Sequence, residues 1–175
     1  FHTFPVRASI DTARAFVTEN GFAEFTSRAP MLTFTGTSRS LTGLIDLEQN
    51  LLDFYLDLNT LDTGIELRNR HMRDSYLETD THPYAEFRGR LLELPDFAES
   101  DTARVTALGR FRVHGVEREQ QVEGVLIRIP GGLRLAAEWT VKLSDHDIDI
   151  PKVVFYELSE TQQIRIAAEF GPYTP

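Results

Sequence analysis

The chain has 175 residues, 41% of them hydrophobic and 26% charged, the balance of one soluble globular domain with material for a substantial core. Its net charge of -9 repels phosphate backbones and argues against nucleic acid as a partner. Cysteine is absent, which excludes disulfides, thiolate metal sites and Cys nucleophiles, and no run approaches the roughly 18 apolar residues of a transmembrane segment.

The first residues, FHTFPVRAS, lack an initiating Met. A signal peptide already removed, and hence a periplasmic or secreted protein, is the expectation; simple trimming would leave the same start and is compatible with the cytoplasm. Residues 9–20 (SIDTARAFVTEN) fit either an edge strand or a short helix. Strands follow at 21–29 and 40–47. LLDFYLDLN then alternates Leu52, Phe54, Leu56 and Leu58 with Leu51, Asp53, Tyr55, Asp57 and Asn59.

The next stretch breaks this period. Asp62 or Thr63 can serve as a helix N-cap, and Glu66 stands at the capping-box distance from Thr63. Ile65, Met72 and Tyr76 recur at spacings of seven and four, with Arg68, Arg70 and Arg73 between them, so the pattern predicts one short amphipathic helix over about 64–77. Thr81-His82-Pro83 stops it.

Alternation resumes at 85–94. A polar loop at 95–101 leads into RVTALGRFRV, which sets Val105, Ala107, Gly109, Phe111 and Val113 on one face. A tight turn with Gly115 at its tip, a strand over 120–129 and a turn at Pro130-Gly131-Gly132 come next. LRLAAEWTVKLS alternates Leu133, Leu135, Ala137, Trp139, Val141 and Leu143 with polar or small residues, and QIRIAAEF alternates Ile164, Ile166, Ala168 and Phe170 with Gln163, Arg165, Ala167 and Glu169.

One apolar and one polar face per strand predicts an all-β, mainly antiparallel fold. About eight strands joined by short turns can close into a barrel and remove both edges, with the helix around 64–77 closing one end. The interior of such a barrel is filled by side chains or holds a ligand, and periodicity alone does not choose between these. The whole chain, 1–175, reads as a single domain.

Four stretches resemble one family. LDTGIELRNRHMRDSYLETDTHPYAEFRGRL (61–91) is similar to the signature of the YceI-like lipid- and polyisoprenoid-binding proteins, through Thr63, Gly64, Arg70, His71, Met72, Tyr76, Leu77, Pro83, Phe87 and Gly89. Residues 25–47 resemble the family's early strand pair, 107–124 its central hairpin and 139–166 its closing segment, so the resemblance spans about 21–170. It implies a lipocalin-like barrel around a long apolar cavity, a bacterial protein commonly exported to the periplasm, and an isoprenoid or fatty-acyl chain as bound lipid. It also implies a homodimer, for which a barrel end would serve.

The residues expected to line such a cavity are Phe54, Leu56, Leu58, Ile65, Met72, Tyr76, Phe87, Phe111, Leu135, Trp139, Ile164 and Ile166. Arg68, Arg70 and Arg73 could meet the oxyanion of a head group, since guanidinium matches phosphate or carboxylate in bidentate geometry. His71, beside Met72, is grouped with them.

No metal site is expected. The five histidines (His2, His71, His82, His114 and His146) have no ligand spacing. Asp145, Asp147 and Asp149 would share a face along a strand, but an EF-hand would need Gly and Glu where Ile150 and Tyr156 stand. No catalytic residue is nominated either: G-x-S-x-G is absent, and Ser144-Asp145-His146 are contiguous, unlike an assembled triad. No cofactor is implied. The expectation is thus a non-enzymatic binding protein for a hydrophobic small molecule. Its rivals are a filled, structural or stress-related barrel acting through a protein partner, and an enzyme pairing His71 with a carboxylate.

Overall fold

The computed structural model describes residues 14–154 and 156–173. Its strands are β1 (Ala15–Arg28), β2 (Thr33–Asp46), β3 (Leu51–Asp57), β4 (Tyr84–Leu91), β5 (Thr102–Val113), β6 (Val116–Ile129), β7 (Gly132–Lys142) and β8 (Thr161–Pro172). Each pairs antiparallel with its neighbour in sequence, and β8 returns to β1, so the sheet is a closed eight-stranded barrel. The expected fold class is the observed one.

The alternation in sequence becomes the two faces of the wall. In β7, Leu133, Leu135, Ala137 and Val141 are buried while Arg134, Glu138 and Thr140 are exposed. Outside, cross-strand ion pairs such as Arg88–Asp53 (2.9 Å) and Arg134–Glu169 (3.3 Å) decorate the surface; exposed pairs of this kind each add little stability. Inside, the register sets Gly43 opposite Phe54, Phe54 opposite Phe87 and Phe87 opposite Phe111. The row works because Gly43 has no side chain: a Cβ there would lie 2.6 Å from the Phe54 ring.

Connections alternate between the barrel ends. One end carries 47–50, 92–101 and the Pro130-Gly131 turn; the other carries 29–32, 58–83, His114-Gly115 and 143–160. His114 and Gly115 both have positive φ (56° and 73°), the geometry of a two-residue hairpin turn whose twist matches the strands it joins.

Four expectations are settled or changed. Residues 15–20 are strand, the start of β1, and residues 9–13 lie outside the described ones. β4 ends at Leu91, and Leu92 and Leu94 are exposed in the following loop. The acidic segment is no strand: Leu143–His146 is a 3₁₀ turn ended by Asp147 in the left-handed region, so Asp145, Asp147 and Asp149 share no strand face.

The inserted helix is the fourth. It comprises a short α-helix, α1 (Glu66–His71), continued by a π-helical turn over Met72–Tyr76, where the Leu77 N–H reaches back to the Met72 carbonyl. The capping box does not form. Ile65 is the N-cap, without a side-chain hydrogen bond. Thr63 is diverted to buried Asn69, its N–H and hydroxyl both donating to Asn69 Oδ1 (2.8 and 2.6 Å), and Glu66 pairs with Arg73 instead.

Candidate functional site

A cavity of about 720 Å³ occupies the barrel interior, within the usual range for small-molecule sites. Its existence follows from side-chain size. On the wall formed by β5, β6, β7 and β8, Val105, Gly124, Ala137 and Ile166 face one another in register. Two of these four are Gly or Ala, and they leave room that Leu or Phe would fill. The far end is shut by tightly packed residues: Phe170 and Leu133 are each 2% exposed, and the Phe170 ring meets Phe54 edge-on at 5.9 Å.

All twelve expected lining residues front this space. Phe54, Leu56 and Leu58 come from β3 and the turn after it, and Phe87 and Phe111 from β4 and β5. Leu135, Trp139, Ile164 and Ile166 come from β7 and β8. Ile65, Met72 and Tyr76 come from the inserted segment at the opposite end. Their burial is unequal: Met72 is buried, whereas Ile65 stays 48% exposed at the rim. Burial pushes the Tyr76 phenol pKa above its usual value, so the hydroxyl stays neutral. Sequence periodicity missed Leu32 and Phe34 after the first hairpin and Ile148, Val154 and Leu158 from the β7–β8 connection. These lie in loops and at strand ends, where no period marks an inward face.

The basic residues divide. Arg68 and His71 front the cavity. The Arg68 guanidinium sits 4.5 Å from the centroid of the Phe34 ring, at the rim rather than in the depth. Arg70 is exposed and Arg73 holds Glu66 at 3.3 Å; neither fronts the cavity.

The inserted segment is anchored at both ends. At its start, Asp62 exchanges backbone hydrogen bonds with Thr37 of β2 (3.0 and 2.9 Å), and its carboxylate accepts from Asn69 Nδ2 (2.9 Å) and the Gly64 N–H (2.8 Å). Those two donors hold the Asp62 carboxyl below its ordinary pKa, the Asn69 bond contributing most. At its other end stands a cluster that sequence spacing did not reveal. Glu78 Oε1 lies 2.7 Å from His114 Nε2, and His114 Nδ1 lies 2.9 Å from the His146 carbonyl. Buried His146 in turn hydrogen-bonds the Val116 carbonyl at 2.8 Å, and His82 packs edge-on against His114 at 5.1 Å. The only hint in sequence was three histidines beside turns. Among the described residues no group of three or more His, Asp or Glu could hold a metal ion, and no helix is long and apolar enough to cross a membrane.

Solved structures share this architecture. A polyisoprenoid-binding domain from Saccharophagus degradans, implicated in plant cell wall breakdown, aligns over 92% of this chain and 99% of its own, with a TM-score of 0.80 and 19% identity. Burkholderia cenocepacia BcnA aligns over 86% and 96%, with a TM-score of 0.70 and 14% identity. The YceI protein of Campylobacter jejuni aligns over 79% and 85%, with a TM-score of 0.64 and 14% identity. At such identities the likeness is one of fold. No curated protein sequence matches the chain. The model of the YceI-like domain matches residues 9–170, nearly the whole length, and the chain therefore belongs to the YceI-like domain family.

Proposed function

We propose that the protein is a non-enzymatic binder or carrier of an extended apolar ligand, of isoprenoid or fatty-acyl type, held inside the barrel. The observation that carries this reading is the cavity of about 720 Å³ lined mainly by apolar side chains. A barrel built only as a structural element would fill that space, because interiors normally pack to crystal-like density and voids are costly. A flexible chain entering it gains about 25 cal/mol for each Å² of apolar surface removed from water, before the cost of ordering. No reacting group is needed for that gain.

The polyisoprenoid-binding domain from Saccharophagus degradans supports the reading by analogy of fold. The same reading extends to a protein working in the periplasm or after secretion, with a homodimer as its assembly. The rim carries exposed Ile65 and Leu67 beside Arg68, a setting through which an apolar chain can pass.

Native mass spectrometry of the purified protein, followed by organic extraction and lipid analysis, tests the proposal. Co-purifying lipid at close to one chain per protein, or stoichiometric uptake of an added prenyl or acyl chain, is expected. Failure to take up either kind of chain would overturn it.

A further inference from the structure

Among the described residues four that are not glycine have positive φ, and three of them meet at one place: Glu78 (51°), His114 (56°) and Asp147 (56°). Backbone held in this sparsely populated region gathers at switches and ligand clamps. Glu78 ends the inserted segment, His114 stands in the β5–β6 turn, and Asp147 follows His146 in the β7–β8 connection. Three separate elements thus converge on the His114 ring.

Hydrogen-bond chemistry makes that ring a proton sensor. His114 Nε2 faces Glu78 Oε1 at 2.7 Å, and Nδ1 faces the His146 carbonyl at 2.9 Å. A carboxylate and a carbonyl only accept, and a neutral imidazole has a single N–H, so the imidazolium alone makes both bonds. His146 differs, since its bond to the Val116 carbonyl needs one proton. When His114 loses a proton, a ring lone pair faces an oxygen and one contact fails. The His146 carbonyl belongs to a 3₁₀ turn that is itself fixed, by the Ile148 N–H on the Leu143 carbonyl and by Arg118 Nε on the Asp145 carbonyl (2.9 Å). The Glu78 side chain is 54% exposed and is the partner free to swing away.

What Glu78 holds is part of the cavity wall. Met72, Tyr76 and Leu77, just before it, front the cavity. Backbone hydrogen bonds here run inside the segment: Leu77 to Met72, Thr79 to Arg73, and Thr81 and His82 to Glu78. Side chains make the link to the barrel. Glu78 holds His114, and the His82 ring packs on His114 and on Gly115, where a Cβ would lie 2.6 Å from it.

We propose that His114 is a pH-operated latch on the cavity: as imidazolium it fastens Glu78 and the end of the inserted segment, and its deprotonation frees that end and speeds exchange of the bound chain. This rests on the carrier reading above and adds how that site is regulated. The titratable and charged groups around the ring are Glu78 and His82 from the inserted segment, Asp147 from the β7–β8 connection, and Arg118 of β6, held on the Asp145 carbonyl. Burial pulls the His114 pKa down. The bonds to Glu78 and His146, with the charges of Glu78 and Asp147, raise it by more, so the latch opens above pH 6.5. The segment is held in acid and released in mildly alkaline solution.

The test follows two readouts at pH 5.5 and 8.5. One is exchange of bound dodecan-1-ol, which has no group titrating in this range, for its perdeuterated form, timed by native mass spectrometry. The other is hydrogen-exchange protection of the Leu77 and Thr79 amides, corrected for the intrinsic effect of pH. Wild-type exchange should be roughly ten-fold faster at pH 8.5, with protection falling in parallel. His114→Gln should show one rate at both pH values. Glu78→Gln should stay slow at pH 8.5, because the new amide can donate to the neutral ring; neither residue fronts the cavity. Equal wild-type rates at the two pH values would overturn the latch and leave the carrier reading intact. So would a wild-type pH profile in His114→Gln, which would assign the effect to His82 or His146, or fast alkaline exchange in Glu78→Gln. If the protein takes up no dodecan-1-ol, the carrier reading fails, and unchanged amide protection would then sink the latch as well.

Discussion

The Glu78 carboxylate lies 2.7 Å from His114 Nε2, and this contact ties the end of the inserted segment to the β5–β6 hairpin. Burial, the largest single influence on His114, lowers its pKa. The hydrogen bonds to Glu78 and to the His146 carbonyl, with the negative charges of Glu78 and Asp147, together outweigh it and leave the pKa raised above 6.5. A raised folded-state pKa stabilises the protonated fold below the ordinary histidine value, and that contribution disappears as pH rises through the raised value. Neighbouring His82 and His146 are present in both proteins compared, so a difference isolates His114. The melting temperature of the wild type should exceed that of His114→Gln at about pH 5.5, and the gap should narrow by about pH 8.5. A gap that widened with pH would show the pair to be no ion pair.

The opposite anchor depends on Asn69, buried between Asp62 and Thr63. Asn69→Ala orphans the Thr63 N–H and removes the main bond that depresses the Asp62 pKa. The expected cost is about 1–3 kcal/mol in urea unfolding, with earlier proteolytic cleavage within 64–77. In the wild type the Asp62 contribution is present above the ordinary carboxyl pKa of 3.8 and is lost as pH falls through its lowered value. The variant should therefore show a shallower loss of stability in acid.

Gly43 is the closest contact of the aromatic row. A methyl group there would strike the Phe54 ring at 2.6 Å. Gly43→Ala should destabilise the protein by about 1–3 kcal/mol, as overpacked cores do, read by chemical denaturation. An unchanged midpoint would mean that Phe54 swings freely into the cavity.

Ala137 is the complementary case, since it faces open space. Ala137→Phe should fill part of the cavity, keep or raise the melting temperature, and weaken binding of a long apolar chain at least ten-fold. Full retention of binding by a folded variant would put the ligand elsewhere on the molecule.

The barrel was legible because period-two alternation states directly which side chains face inward, and eight such runs joined by turns have few other ways to hide their edges. That same alternation placed Phe54, Phe111, Leu135, Trp139 and Ile166 correctly on the cavity wall. It could not measure the cavity, because emptiness arises where small residues on different strands come into register, as Gly124 and Ala137 do. The capping box failed for a similar reason: Thr63 had the right neighbour in sequence, and a better one, Asn69, once the chain folded back. Glu78 and His114 are brought together only when the end of the inserted segment docks on the β5–β6 hairpin.

The most direct measurement of the central claim is the set of intermolecular NOEs between a bound dodecyl chain and the methyl groups of the protein. The account predicts contacts from the chain to Leu135, Ile164 and Ile166 inside the barrel. Contacts confined to exposed Leu92, Leu94 or Val153, with none to interior methyls, would contradict it.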